Sequence, residues 1–132
     1  MTQYTEKQIQ DTLEIIESSI ANCEKVRLKL KEGTSPFSLN TNRIKALYIS
    51  KAILTNPDNV VLKEDLEKAT VQIASIKRKC VTGINNAKKE SATYTRFSKL
   101  IEATSVILEY LQTAIETYRP KVDHTSDLKN KV

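Results

Sequence analysis

The sequence is poor in residues that interrupt helices, with two glycines and three prolines in 132 residues. It has no tryptophan, two cysteines and a single histidine, His124, so it lacks the ligands of a zinc site. No apolar run approaches the roughly 18 residues that a membrane-spanning helix requires. The apolar content of 39% and charged content of 28% are typical of a soluble globular chain. We therefore expect long helices in one soluble domain.

The N-terminus MTQYTEKQIQ lacks the basic and apolar segments of a signal peptide, so we expect a cytoplasmic protein. Cys23 and Cys80 fall on apolar helix faces, where a free thiol behaves as a small hydrophobic residue. Two core thiols are the favoured interpretation, with a disulfide or a reactive thiol as the alternatives. We place one helical bundle domain at residues 1–120, followed by a polar, frayed C-terminal tail at residues 121–132.

Apolar residues recur every three or four positions in four segments, which is the spacing of a helix face. The first helix is predicted to begin near Thr5, which has capping-box spacing with Gln8, and to stop at Gly33, with Pro36 preventing its continuation. The second is predicted from about residue 39 to 55, before the break at residues 56–58. The third follows an apolar seam over residues 62–87, and the fourth follows one over residues 97–118 and ends at Pro120.

Short connections between successive helices favour antiparallel neighbours. The sequence therefore predicts an all-α, up-down-up-down four-helix bundle. No proline or other strong helix breaker separates the third helix from the fourth, however. The alternative is a helical hairpin with one long helix, over residues 62–118, that pairs in a dimer.

Two parts of the chain resemble each other when it is shifted by 57 residues without a gap. Seven of the 46 pairs between residues 9–54 and 66–111 are identical, and the turn KEGTSPF aligns with KKESATY. Amphipathic hairpins match in part by pattern alone, but we interpret the similarity as a duplicated helical hairpin. It predicts a break near Ser91 and so favours the four-helix bundle. The repeat departs at Gly83, which aligns with Val26.

The stretch NRIKALYIS beside the turn TSPFSLNT, together with the later ATYTRFSKLIEATSVI, resembles small helical proteins of unassigned function. These proteins are encoded by low-GC Gram-positive bacteria and their phages. The resemblance covers most of the chain. It implies a helical bundle and a bacterial or phage source, and it implies no activity.

Charge is placed unevenly. Residues 24–45 and 77–99, which meet at one end of the predicted bundle, carry 13 basic and 3 acidic residues, a net +10. The remaining residues carry 8 basic and 13 acidic residues, a net −5. Basic residues near helix C-termini complement the helix dipole, but four of these lie near helix N-termini, where the dipole favours acids. These four are Arg43, Lys45, Arg96 and Lys99.

We name residues 24–45 and 77–99 the basic end and expect it to bind a protein partner or an acidic ligand, with nucleic acid among the candidates. Two helix N-termini there would add free N–H donors. Tyr94 is expected to be exposed and able to stack on a base, whereas Phe37 and Phe97 should cover the end of the core. The candidate binding residues are Arg43, Lys45, Lys88, Lys89, Tyr94, Arg96 and Lys99.

The sequence favours a non-enzymatic protein-interaction bundle, of adaptor, immunity or phage-accessory type, over a module that binds a polyanion, nucleic acid or nucleotide. General acid–base catalysis usually needs a histidine or paired carboxylates in a cleft. The pairs Glu14/Glu17 and Glu64/Glu67 lack the histidine or second carboxylate pair of bundle metal sites, so we expect no catalytic residue, metal or cofactor. No membrane association is expected. A homodimer, or head-to-tail contact between basic and acidic ends, is compatible with the charge pattern.

Overall fold

The structure is a computed structural model, and it describes residues 4–59 and 61–118. These residues form helices α1 (Glu6–Arg27), α2 (Ser35–Thr55), α3 (Lys63–Asn85) and α4 (Ala92–Glu116). Each helix packs on the next, α4 also packs on α1, and α2 meets α4 across the bundle. The predicted all-α four-helix bundle is confirmed. The long-helix alternative is wrong, because six residues outside any helix separate α3 from α4.

Side-chain caps set where the helices begin. The Gln8 amide donates to Thr5 Oγ1 at 3.1 Å and the Thr5 amide donates to Gln8 Oε1 at 2.8 Å, so the predicted capping box is confirmed. The second helix starts at Ser35, four residues before the prediction. Thr34 caps it and Pro36 lies in its first turn, where the missing N–H of proline costs no helical hydrogen bond. Pro36 therefore starts α2 instead of stopping the helix before it.

The other helix ends also differ from the predictions by a few residues. The first helix stops at Arg27, six residues before Gly33, and α4 starts at Ala92, five residues before the first residue of its apolar seam. The break at Asn56 is confirmed, since α2 ends at Thr55. The predicted stop at Pro120 and the predicted tail at residues 121–132 lie outside the described residues.

The core is built from all four helices, but α2 and α4 contribute the wider buried faces. These are the two helices that meet across the bundle. Small buried side chains at Ala46, Ser50 and Ala103 are consistent with their close approach. The largest buried apolar side chains are Ile16, Ile53, Leu66, Ile73, Ile107 and Leu111.

Both cysteines are free thiols, as the favoured interpretation predicted. Cys80 is buried and Cys23 is half-buried. Burial raises the pKa of each thiol, and the positive charge of Arg43 near Cys23 and of Arg96 near Cys80 opposes that shift only in part. Both side chains therefore act as neutral apolar groups near pH 7. Within the described residues, no helix is long and apolar enough to cross a bilayer.

Candidate functional site: the basic end and its two turns

The bundle has two chemically different ends. The basic end contains the first turn (residues 28–34), which joins α1 to α2, and the second turn (residues 86–91), which joins α3 to α4. At the opposite end, Tyr4, Pro57 and Thr117 line a common cavity. The described residues outside the basic end hold 4 basic and 11 acidic side chains, a net −7 against the +10 of the basic end.

The two turns close with the same hydrogen bonds. Thr34 Oγ1 donates to the carbonyl of Lys31 at 2.6 Å, and Ser91 Oγ donates to the carbonyl of Lys88 at 2.6 Å. Each hydroxyl oxygen also accepts from the amide three residues later, at 3.4 Å in the first turn and 3.1 Å in the second. The predicted break near Ser91 is therefore confirmed, and Ser91 is the N-cap of α4.

The residue before each cap adopts a left-handed backbone conformation. Gly33 has a φ of +83° and Glu90 has a φ of +71°. Glycine takes this conformation without strain, whereas a residue with a Cβ atom is strained there. The second turn thus adopts the same left-handed backbone conformation as the first, although it has Glu90 where the first has Gly33.

Behind the turns, the two hairpins differ at one packed position. In the second hairpin the Phe97 ring lies against Gly83, so that a Cβ atom added to Gly83 would lie 2.5 Å from the Phe97 Cζ atom. The equivalent residues of the first hairpin are Val26 and Asn40, and Asn40 Nδ2 donates to the carbonyl of Cys23 at 3.1 Å. The two hairpins therefore differ at two residues that contact each other in the second hairpin, Gly83 and Phe97.

Two of the candidate lysines lie away from the turns. Lys45 follows the first residue of α2 by ten positions, about 15 Å along the helix axis, and its Nζ lies 3.3 Å from a carboxylate oxygen of Asp65. Lys99 lines a groove between α1 and α4 together with Asp11 and Glu14. Lys45 is thus paired with an acid, Lys99 shares its groove with two acids, and both lysines lie within helices beyond the turns.

The two candidate arginines differ in exposure. Arg43 is half-buried, and its Nε and Nη2 atoms are buried without a hydrogen-bond partner among the described residues. Arg96 is exposed, with its guanidinium 5.5 Å from the centre of the Phe97 ring. The first hairpin has a comparable pair that the sequence did not single out, because Arg27 lies 5.1 Å from the centre of the Phe37 ring. Arg96 and Arg27 offer charge to a partner, and Arg43 points largely inward.

The aromatic candidates are less exposed than expected for base stacking. Tyr94 is half-buried, and it lies in the first turn of α4, which begins two residues before it. The expectation of an exposed Tyr94 ring is therefore wrong. Phe37 and Phe97 are half-buried, as expected for residues that cover the end of a core. The exposed tyrosine of the described residues is Tyr48, in the middle of α2.

The exposed surfaces of the two turns differ in polarity. The second turn presents the candidates Lys88 and Lys89, both exposed. The first turn presents an apolar side chain that the sequence did not select, Leu28, which is 88% exposed, and the adjoining helices add Val26 of α1 at 48% and Leu39 of α2 at 44%. Leu28 interrupts a basic stretch and lies outside the apolar seam of α1, which was the available sequence signal.

Comparison of the chain with models of protein families, with curated proteins and with solved structures gave no match. Within residues 4–59 and 61–118, no group of three or more histidine, cysteine, aspartate or glutamate side chains is placed to hold a metal ion.

Proposed function

We propose that the chain is a non-enzymatic protein-interaction bundle whose first turn binds an acidic and partly apolar surface of a partner protein. The observation that carries this proposal is the 88% exposure of Leu28 within a basic stretch. Burying such a leucine against a partner contributes about 2 kcal/mol. A polyanion alone would engage the basic residues and leave the leucine in water. The flanking basic residues are Lys25, Arg27, Lys29 and Lys31.

The surroundings of Leu28 support the same proposal. Val26 and Leu39 are also partly exposed in the first hairpin, and the chain on both sides of Leu28 is rich in basic residues. An apolar centre with a charged rim is typical of protein-binding surfaces. The positive field of the basic end would speed the encounter with an acidic partner. An adaptor, an immunity-type factor or a phage-encoded accessory protein would all act in this way.

A second candidate function is the binding of nucleic acid or another polyanion at the second turn. It is favoured by the polar residues of the second hairpin at the positions equivalent to exposed leucines of the first. Asn85 corresponds to Leu28, and Arg96 corresponds to Leu39. Lys88 and Lys89 are exposed beside them. Contacts of lysine and arginine with phosphates release counterions, so this binding would weaken steeply as salt rises.

We also propose that the two hairpins descend from one duplicated hairpin. Three shared features support this origin: the hydrogen bonds of the caps, the left-handed residue before each cap, and a free cysteine at the equivalent position of each hairpin. After duplication, the exposed positions of the two turns would have diverged towards different partners.

The test of the proposed function compares matched variants of the two turns. The wild-type chain and Leu28→Asn, which copies Asn85 of the second turn, are immobilised and exposed to a nuclease-treated host lysate at moderate salt. A partner retained by the wild type is then purified, and its affinity is measured by calorimetry. We expect Leu28→Asn to weaken binding about tenfold or more, because a buried leucine contributes about 1.5–3 kcal/mol.

The control is the double variant Lys88→Gln, Lys89→Gln, which changes the second turn and should retain the protein partner. Fluorescence anisotropy with labelled single- and double-stranded oligonucleotides, at low and moderate salt, tests the second candidate. Oligonucleotide binding that this double variant loses and Leu28→Asn keeps would support the polyanion function instead. Equal affinity of Leu28→Asn and the wild type for the purified partner would contradict the proposed function.

A further inference from the structure

A cavity of about 320 Å³ opens at the end of the bundle opposite the two turns. Tyr4, which precedes α1, and Tyr110 of α4 both line it. Their ring centres lie 6.4 Å apart and their planes are inclined by 27°, which is a stacked arrangement. Ile53 and Ala114 add apolar surface to the lining. The cavity thus combines aromatic and aliphatic walls at a place where three separate parts of the chain converge.

The charged groups of this cavity are all acidic. Asp58 and Glu109 line it, and no lysine or arginine is among its lining residues. Neither carboxylate forms an ion pair with another described residue. The Tyr4 hydroxyl donates a hydrogen bond to the Glu109 carboxylate. This bond, together with burial and the charge of Glu109, raises the pKa of Tyr4 and keeps its phenol neutral.

We propose that this cavity binds an alkylated ammonium cation. The alkyl groups of such a cation would contact the tyrosine rings, while its charge would lie near the two carboxylates. Aromatic faces attract cations, and quaternary ammonium groups are the ligands for which proteins most often use them. The hydrogen bond to Glu109 polarises the Tyr4 phenol and makes its ring a better partner for a cation.

The chemistry of the cavity selects against other ligand classes. A neutral ligand of the same shape would lack the attraction of the carboxylate charges, and an anion would be repelled by them. A small inorganic cation is strongly hydrated and would gain little from the apolar walls. The net −7 of the described residues outside the basic end favours the approach of any cation.

The test is a titration of the full chain with choline and with 3,3-dimethylbutan-1-ol, the neutral carbon isostere of choline. Amide chemical shifts in nuclear magnetic resonance spectra report the affinity and the site. We expect choline to bind saturably with shifts at Ile53 and Thr113, and the isostere to bind about tenfold or more weakly. Phosphocholine, whose phosphate the carboxylates repel, should bind more weakly than choline. Equal binding of the isostere, tighter binding of phosphocholine, or no saturable binding of choline would overturn the proposal.

Single substitutions then locate the charge that is recognised. Glu109→Gln keeps the shape of the side chain and should weaken choline binding about three- to tenfold. Glu102→Gln removes the same charge from α4 at an exposed position outside the cavity and should leave the affinity unchanged. Wild-type affinity of Glu109→Gln, or an equal loss in Glu102→Gln, would contradict a specific site. Tyr4→Leu removes a ring from the partly exposed wall and should weaken binding, while Tyr4→Phe should retain most of it.

The two proposals can fail independently. The choline titration reports on Tyr4, Asp58 and Glu109, and the partner test reports on Leu28 and the lysines of the turns. A chain that binds choline and lacks a protein partner would retain the cavity proposal, and the reverse result would retain the proposed function.

Discussion

The first and second turns share a backbone and differ in what they present to solvent. Both are closed by a hydroxyl cap that donates to a lysine carbonyl at 2.6 Å, and both precede that cap with a left-handed residue. On this common backbone, Leu28 of the first hairpin corresponds to Asn85 of the second. The caps and the left-handed residue therefore define the turn, and the exposed positions are free to specify a partner.

The two hairpins also differ in the packing between their helices. At one packed position the first hairpin has Val26 and Asn40, and the second has Gly83 and Phe97. A large ring fits in the second hairpin because the facing helix has no side chain there. The second hairpin thus packs a ring against a glycine, whereas the first has a half-exposed Val26 and a hydrogen bond from Asn40 to the carbonyl of Cys23.

The largest expected effect comes from breaking this pairing in the second hairpin. Gly83→Val places a side chain where the Phe97 ring lies, since even a Cβ atom would come within 2.5 Å of it. We expect the free energy of unfolding to fall by about 1–2 kcal/mol, because the strain of overpacking exceeds the gain in helix propensity. Urea denaturation measures this change. Val26→Ala, in the equivalent but half-exposed position, is the control and should change stability by less than about 0.5 kcal/mol.

A double substitution tests whether the two departures compensate each other. Gly83→Val combined with Phe97→Asn copies the first hairpin, in which Asn40 donates to the carbonyl of Cys23. The double variant should be more stable than the sum of the single changes predicts, by about 1 kcal/mol. Additive effects would show that the two positions are energetically independent. The conclusion that Gly83 and Phe97 compensate each other would then be wrong.

Much of the fold follows from local sequence signals. The capping box of Thr5 and Gln8 and the break after Thr55 each depend on a few adjacent residues. The break at Ser91 needed the comparison of distant segments, because Glu90 stands where the first turn has Gly33. Turn glycines are the usual signal of a helix end, and this turn has none.

The errors in the starts of α2 and α4 share one cause. The apolar seam marks residues that face the core, whereas the first turn of a helix is held by its cap and need not face the core. The second and fourth helices therefore begin four and five residues before the seams indicate. Tyr94, which was expected to be exposed because it lies off the seam of the fourth helix, is half-buried in the first turn of α4. Pro36 was ambiguous for the same reason, since proline is common both after a helix and in its first turn.

The acidic cavity could not be predicted from the sequence. Its main residues are Tyr4, Asp58 and Glu109, which come from three segments separated by about fifty residues each. No spacing rule links such positions. Leu28, by contrast, was visible as an apolar residue off the seam of α1, but its exposure depends on where α1 ends, and that end was predicted six residues too late.

A smaller effect is expected when the left-handed residues of the two turns are exchanged. Glu90→Gly removes strain at a φ of +71° and should raise the free energy of unfolding by about 0.5–1 kcal/mol, less the entropy that glycine gains in the unfolded chain. Gly33→Glu introduces that strain and should lower it by about 1 kcal/mol. A Cβ atom on Gly33 meets no atom within 4 Å, so the change tests the backbone alone. Changes of the same sign in both variants, measured by thermal unfolding, would contradict the equivalence of the two turns.

The smallest effect on stability is expected from exchanging the exposed residues of the turns. Leu28→Asn and Asn85→Leu should each change the free energy of unfolding by less than about 0.5 kcal/mol, because both side chains are exposed and the cap hydrogen bond of Leu28 is made by its backbone N–H, which the substitution keeps. Urea denaturation of the two variants in parallel provides the measurement.

A loss near 2 kcal/mol in Leu28→Asn would mean that the leucine stabilises the folded chain itself, for example by burial in a homodimer. Such a loss would remove the separation between the backbone that the two turns share and the surface in which they differ, and with it the reason to assign Leu28 to a partner protein. A dependence of that loss on protein concentration would identify a second copy of this chain as the partner, since dissociation of a dimer is linked to its unfolding.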